Sequence, residues 1–279
     1  MRKQFCYISL LFLFVSCNKQ EEGVLKIEIK GLPKLGENFA YEGWIIVDGS
    51  PQTAGIFTVD SEGRPSETSF ELDKKALSEA TAYVLTIEPM PDPEPKASAV
   101  HVLGGDFSNN TAVLFMDHKN AIGSDLMTHA GSFTLHERNG SVKGLWFEDL
   151  SGSPSLNFEE INTGWDYESW IRFGDDYTSM GKFQSVDEDD DSAFDYAEQK
   201  RGVPGEHFFY NPNDTVDFPS WDLLGYEVIV SLEPRTDNDL AMPFYKILSS
   251  TIGSQISDMD VLELQNVISE NASVGFVER

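Results

Sequence analysis

The sequence predicts an all-β protein that contains two tandem antiparallel β-sandwiches. Three observations lead to this prediction: short runs in which apolar and polar residues alternate, turn residues between those runs, and a pair of aromatic blocks that occurs twice in the same order. Only residues 73–80 favour a helix. Many short strands with almost no helix are typical of sandwiches.

The first 17 residues predict export. Arg2 and Lys3 give a positive start, and residues 5–15 form an apolar run that is shorter than the roughly 20 residues needed to span a bilayer. The run ends in FVSC, which resembles the lipobox of bacterial lipoproteins, where a small residue precedes a lipidated cysteine. The resemblance implies a signal peptide at 1–16, a lipid on Cys17 and a tether at 17–23. A membrane helix and a cleaved but unlipidated peptide are the alternatives.

Strand signals fill most of the remaining chain. In residues 24–29, Leu25, Ile27 and Ile29 alternate with charged neighbours, as in a half-buried strand. Residues 48–51 and 61–65 supply turns. The other predicted strands are 41–47, 54–59, 83–87, 99–103, 111–116, 131–136, 145–148, 167–173, 180–183, 226–232 and 244–248. Residues 254–279 favour neither element and are treated as a C-terminal tail.

The two halves repeat each other. The block FAYEGWI at 39–45 recurs as WDYESWI at 165–171, an offset of 126, and Gly55 then falls on Gly181. The block VLTIEP at 84–89 matches IVSLEP at 229–234, an offset of 145. Two matching blocks in order indicate duplication, with 19 extra residues in the second copy. We therefore predict sandwiches at 24–117 and 118–253, with the boundary falling between residues 117 and 128.

Composition limits the partners. The chain has 20 basic and 47 acidic residues, a net charge of −27, and loss of the signal peptide would make it −29. Such a surface repels phosphate groups, so nucleic acid is excluded as a partner and membrane attachment must come through the lipid. Cys6 would leave with the signal and Cys17 would be acylated, which leaves no disulfide, no cysteine nucleophile and no cysteine-based zinc site.

The first copy resembles a known module. YEGWIIVDG at 41–49, AGIFTVD at 54–60, LTIEP at 85–89 and VLGG at 102–105 resemble the extracytoplasmic C-terminal domain of anti-sigma-K factors, over residues 32–106. The resemblance implies a β-sandwich outside the cytoplasm. In that family one membrane helix connects the module to a cytoplasmic helical part, which sequesters a sigma factor, and the sequence shows neither of these two parts. The second copy looks like a diverged member of the module, and the resemblance brings no catalytic residues.

Several residues are candidates for a site. Trp44, Trp170, Tyr41 and Tyr167 could form sugar-stacking platforms, although core packing is the simpler interpretation. Glu88 and Glu233 could act in acid/base chemistry, although each precedes a proline at a strand end. The candidate calcium ligands are Asp187, Asp189, Asp191 and Asp195, in an acidic segment without EF-hand spacing that could equally be a solvated loop. The histidines show no zinc spacing; they are His101, His118, His129, His136 and His207.

These observations predict a non-catalytic, lipid-anchored envelope protein whose modules mediate interaction or sensing. Its partners would be the membrane, through the lipid, and an envelope protein or glycan. A carbohydrate-binding surface lipoprotein is the alternative, and a secreted hydrolase is the third. Gln20, Glu21 and Glu22 resemble the signals that export some Bacteroidetes-type lipoproteins, which favours the outer membrane, at its periplasmic face or at the cell surface.

Overall fold

The computed structural model describes residues 21–92, 96–138, 141–191, 201–207, 223–235, 241–254 and 258–279. The signal peptide, Cys17 and Asp195 lie outside these residues. The first half contains β1 (Glu22–Lys30), β2 (Phe39–Val47), β3 (Ser50–Phe57), β4 (Ser69–Asp73), α1 (Lys74–Glu79), β5 (Ala82–Pro89), β6 (His101–Asp106) and β7 (Thr111–Leu114). The rest contains β8 (Ala130–Arg138), β9 (Ser141–Trp146), β10 (Leu156–Asn157), β11 (Trp165–Phe173), β12 (Asp176–Phe183), β13 (Gly205–His207), β14 (Glu227–Pro234), β15 (Tyr245–Thr251), β16 (Val261–Asn266) and β17 (Val274–Glu278). Two short 3-10 helices span Leu126–Thr128 and Ile268–Glu270.

The all-β prediction is confirmed. Every strand pairing in the described residues is antiparallel, and α1 is six residues long. Asp73 caps α1 by accepting a hydrogen bond from the Ala76 amide at 2.7 Å. In the part of the chain that is described, no helix combines the length and apolar character needed to cross a membrane.

The two halves share the strand order of one four-stranded unit. One sheet has the order β3-β2-β5-β6 and a second has β4-β1-β17-β7. The larger sheet has nine strands in the order β12-β11-β14-β15-β16-β8-β9-β13, with β10 also paired to β8. Its β12-β11-β14-β15 end has the same order as the β3-β2-β5-β6 sheet. At the other end, β8 takes the place that β17 has in the smaller sheet, although β8 precedes β9 in the chain and β17 is the last strand. A further pairing is found in both halves. Gly104 of β6 pairs with Phe115, which directly follows β7, and Ser249 of β15 pairs with Gln265 of β16.

The registers match at the offsets found in the sequence. Tyr41 lies opposite Phe57 and Ile87, and Tyr167 lies opposite Phe183 and Leu232. The register shifts immediately before each tryptophan, between Gly43 and Trp44 and between Ser169 and Trp170. Gly55 and Gly181 adopt φ of 120° and 123° at these bulges, a conformation that side chains rarely tolerate.

The residues after 253, which carried no strand signal, complete both halves. β16 pairs with β15 and β8, and β17 lies between β1 and β7. The C-terminal strand therefore belongs to the sheet formed by the N-terminal strand. Arg279 secures it by donating to the carbonyl oxygens of Leu77 and Ala80 at 2.7 and 2.6 Å.

The buried apolar residues form one continuous cluster that includes strands of both halves. On β1 the period-two prediction is confirmed: Leu25, Ile27 and Ile29 are buried while their neighbours are exposed or half-buried. They share a core with inward residues of β2 and β5, among them Tyr41 and Leu85. The ring of Phe70 on β4 lies 6.3 Å from that of Phe57 on β3, which places the two sheets face to face.

Candidate functional site

The duplicated motifs build two equivalent polar networks on the outer faces of β2 and β5 and of β11 and β14. Because side chains alternate along a strand, Tyr41 points into the core while Glu42 and Trp44 share the other face with Thr86 and Glu88. Although this face lies outside the sandwich core, these four residues are at most 4% exposed. The motifs therefore form a second, polar buried layer.

In the first network Thr86 is the central group. Its hydroxyl accepts a hydrogen bond from the Trp44 indole at 2.9 Å and donates to the Glu88 carboxylate. The Ser98 amide donates to the same Glu88 oxygen at 2.8 Å. Thr53 on β3 donates to Glu42 at 2.5 Å. The network thus joins β2, β3, β5 and the segment after β5.

The second network repeats these bonds. Ser231 accepts from the Trp170 indole at 2.8 Å and donates to Glu233 at 2.5 Å. Glu233 also accepts from the Phe244 amide at 2.9 Å, and Ser179 donates to Glu168 at 2.5 Å. The side chains of this network stand at the offsets that the sequence repeat predicts, 126 on β11 and β12 and 145 on β14, whereas the Phe244 amide replaces the Ser98 amide at an offset of 146.

A cation distinguishes the two networks. The Lys182 ammonium lies 3.6 Å from the Glu168 carboxylate, and the equivalent position in the first half is Ile56. Burial raises the pKa of the Glu42 carboxyl, and the Glu88 and Asp92 carboxylates raise it further, against the opposing effect of the hydrogen bond from Thr53. The first network therefore holds a carboxyl group whose ionisation is disfavoured.

The structure locates the candidate residues that the sequence singled out. Trp44 is 4% exposed and Trp170 is 1% exposed, so neither presents an open stacking platform. Both lie in the buried polar layer, whereas Tyr41 and Tyr167 belong to the hydrophobic core. Glu88 and Glu233 lie in separate networks, each bonded to a hydroxyl two residues earlier. Sequence reasoning missed Glu42 and Glu168 as network members, although the repeated Tyr-Glu-x-Trp motif contained both.

The acidic segment after β12 bonds mainly to nearby backbone amides. Asp189 accepts from the amides of Arg201 and Gly202 at 3.1 and 2.9 Å, and Asp190 accepts from Gly205 at 2.9 Å. Asp191 accepts from the Lys182 amide at 2.5 Å, and Asp187 accepts from the Ser185 hydroxyl. Within the described ranges no three His, Cys, Asp or Glu side chains are arranged to hold a metal ion. Calcium binding by Asp187, Asp189, Asp191 and the undescribed Asp195 stays a prediction.

The histidines are dispersed. His136 lies 3.2 Å from the Glu148 carboxylate, which also pairs with Arg201. Burial lowers the pKa of His136, Arg201 adds to this effect, and Glu148 opposes it. The other described rings have separate partners: His101 the Asn120 carbonyl, His118 the Asp106 carboxylate, and His129 the Tyr167 hydroxyl. The side chain of His207 lies outside the description.

A groove lies where the two halves meet. Its floor consists of the buried residues Met116, Leu126 and Ile268, and its rim consists of the exposed side chains of Phe115, Met127 and Val274. We call these six residues the junction groove. Its volume is about 180 Å³. No single motif marks it in the sequence, because its residues come from the end of β7, the connection between the halves and the C-terminal segment.

Hydrogen bonds around Ser273 hold this junction together. The Ser273 hydroxyl lies 2.5 Å from the Tyr245 hydroxyl and 2.9 Å from the Gly31 carbonyl oxygen. Asn266 donates to the carbonyl oxygens of Leu126 and His129, both at 2.9 Å. The groove is therefore built on fixed backbone from both halves.

Comparison with protein-family models gives no match to this chain, and comparison with curated proteins gives none either. The resemblance to the anti-sigma-K module rests on the motifs alone and stays a prediction.

Proposed function

We propose that this chain is a non-catalytic, lipid-anchored envelope protein whose two modules form an interaction or sensing device outside the cytoplasm. The junction groove carries the proposal. Phe115, Met127 and Val274 are 47%, 58% and 47% exposed and lie side by side around an apolar pocket. Exposed apolar residues clustered around a pocket are typical of protein-interaction sites.

The buried networks support the same proposal. The residues that the two halves share most clearly bond to one another inside the protein, where they strengthen the sheets. The modules then act as scaffolds, and the surface at their junction is free to meet a partner. Trp44 and Trp170 are buried, so these two residues do not support the carbohydrate-binding alternative.

The anchor and the partner can be tested in the native envelope. A photo-crosslinking amino acid at position 127 should form an adduct with an envelope protein, and the same group at exposed Leu150, outside the groove, should not. Failure of position 127 to crosslink, or equal crosslinking at both positions, would contradict the interaction function. Fractionation of Cys17→Ser tests the anchor, since a variant that stays as firmly in the membrane would contradict lipidation.

A further inference from the structure

The size of the junction groove limits what can occupy it. Small-molecule sites usually measure about 300–1,000 Å³, and this pocket measures about 180 Å³. It can accept one large apolar side chain, in the manner of an anchor residue at a protein interface. Met116 and Met127 line it, and flexible methionine side chains adapt to different apolar shapes.

The apolar surface continues beyond the pocket. On β7, Val113 is 51% exposed and lies opposite Phe276 of β17. Phe115 directly follows β7 and continues its extended backbone, so it lies on the same face as Val113, because side chains two positions apart point the same way. An occupant would therefore place its anchor in the pocket and lie along the outer face of these strands.

The charged residues around the groove indicate which charge a binding partner should carry. Asp117 and Asp125 are exposed and line the pocket, and none of the described lining residues is Lys or Arg. Lys30, opposite Val274 in the register, is not among the lining residues, and its ammonium group lies 3.6 Å from the Glu28 carboxylate. A second copy of this chain, with a net charge of −27, would be repelled, whereas a basic segment would be attracted.

We propose that the junction groove binds a protein segment in which one large apolar side chain is flanked by lysine or arginine. The apolar side chain enters the pocket above Met116, Leu126 and Ile268. The flanking cations lie beside Asp117 and Asp125. This inference rests on the proposed interaction function and names the partner's chemistry.

The methionine methyl groups can report this binding in the full-length chain. The protein is labelled with 13C at its methionine methyls and titrated with a peptide that has leucine between two lysines on each side. The methyl signals of Met116 and Met127 should shift and saturate, while those of Met180 and Met242, outside the groove, should not. A peptide with alanine in place of leucine should bind at least about tenfold more weakly, since the pocket would stay unfilled.

Charge and apolar contact are then separated with variants. Asp117→Asn combined with Asp125→Asn should weaken binding about threefold to tenfold at low salt. The side-chain oxygen of asparagine can still accept the hydrogen bond that the Met127 amide donates to Asp125, so the local fold is kept. The matched control is Asp175→Asn with Asp176→Asn, which removes the same charge between β11 and β12 and should leave affinity unchanged.

Three outcomes would overturn the inference: equal binding of the alanine peptide, equal binding of a peptide with glutamate flanks, or concentration-dependent shifts of the groove methyls without peptide, which would indicate self-association. If position 127 crosslinks to an envelope protein through a segment that is neither basic nor apolar, the partner chemistry is wrong while the interaction function stands.

Discussion

Trp44 on β2 and Thr86 on β5 are joined by a hydrogen bond of 2.9 Å between the indole nitrogen and the threonine hydroxyl. Both side chains are buried, and the hydroxyl also donates to Glu88. Thr86 is thus the shared partner of a donor and an acceptor that have little access to water. Trp170 and Ser231 repeat the arrangement in the second half at 2.8 Å.

Replacing Thr86 with valine should lower the free energy of unfolding by about 1–3 kcal/mol. Valine keeps the shape and strand preference of threonine, but it has no hydroxyl group. The Trp44 indole would therefore lose its acceptor, and the Glu88 carboxylate would lose one of its donors. Urea unfolding measures the loss. Thr58→Val is the control, because Thr58 is exposed and outside the network, and equal losses in the two variants would contradict a specific role for the Thr86 hydroxyl.

Replacing Glu42 with glutamine should stabilise the protein at neutral pH. The pKa of Glu42 is raised in the folded state, so the stability linked to its protonated form is present below the unfolded value near 4.5 and is lost as pH rises through the folded pKa. Glutamine cannot ionise, and its carbonyl can still accept from Thr53. The gain over the natural protein should therefore appear as pH rises above about 4.5.

Glu168→Gln is the matched variant in the second network, and it should behave in the opposite way. In the natural protein the Glu168 carboxylate lies 3.6 Å from the Lys182 ammonium, so removing the negative charge should lower the free energy of unfolding by about 1 kcal/mol at neutral pH. Thermal unfolding between pH 3.5 and 8 compares the two variants. A Glu42→Gln variant without a pH-dependent gain would show that burial does not disfavour the Glu42 carboxylate.

The sequence was sufficient to predict most of the longer strands and the repeat, because both depend on local patterns, but it did not predict β4, β10, β13, β16 or β17. Alternation placed Leu25, Ile27 and Ile29 in the core, and the offsets of 126 and 145 placed Trp170 and Ser231 at the positions of Trp44 and Thr86. These features can be recognised from neighbouring residues or from similar sequence blocks.

Other features depend on contacts between distant segments, which no local pattern encodes. β17 is five residues long and pairs with β1, about 250 residues earlier. The short sequence of β17 therefore could not predict which strand it pairs with. Alternation places Glu42 on the strand face opposite Tyr41, but its burial depends on contacts with other segments, which the alternation does not show. The junction groove is assembled from three separate segments and carries no motif.

The C-terminal strand should be required for the stability of the first half. Val277 is fully buried between β1 and β7, so Val277→Ala should cost about 2 kcal/mol through lost apolar burial and the cavity it leaves. Hydrogen exchange should accelerate in β1 and β7. Glu278→Ala, at the exposed neighbouring position of the same strand, is the control. Unchanged exchange in β1 after Val277→Ala would contradict the pairing.

Glycine at position 55 should be required because two separate effects exclude a side chain there. Its φ of 120° lies in a region that disfavours other residues, and an added Cβ would lie 2.1 Å from a ring carbon of Phe70 on the facing sheet. Gly55→Ala should therefore lower the free energy of unfolding by about 2–5 kcal/mol, the combined effect of backbone strain and overpacking.

Gly49→Ala separates the two effects. Gly49 also has positive φ, but no atom lies within 4 Å of its added Cβ, so this variant should lose only about 1–2 kcal/mol. In urea unfolding, the double variant Gly55→Ala with Phe70→Ala should be more stable than the sum of the two single losses predicts, because removing the ring relieves the clash. Strictly additive losses would show that Phe70 does not restrict position 55.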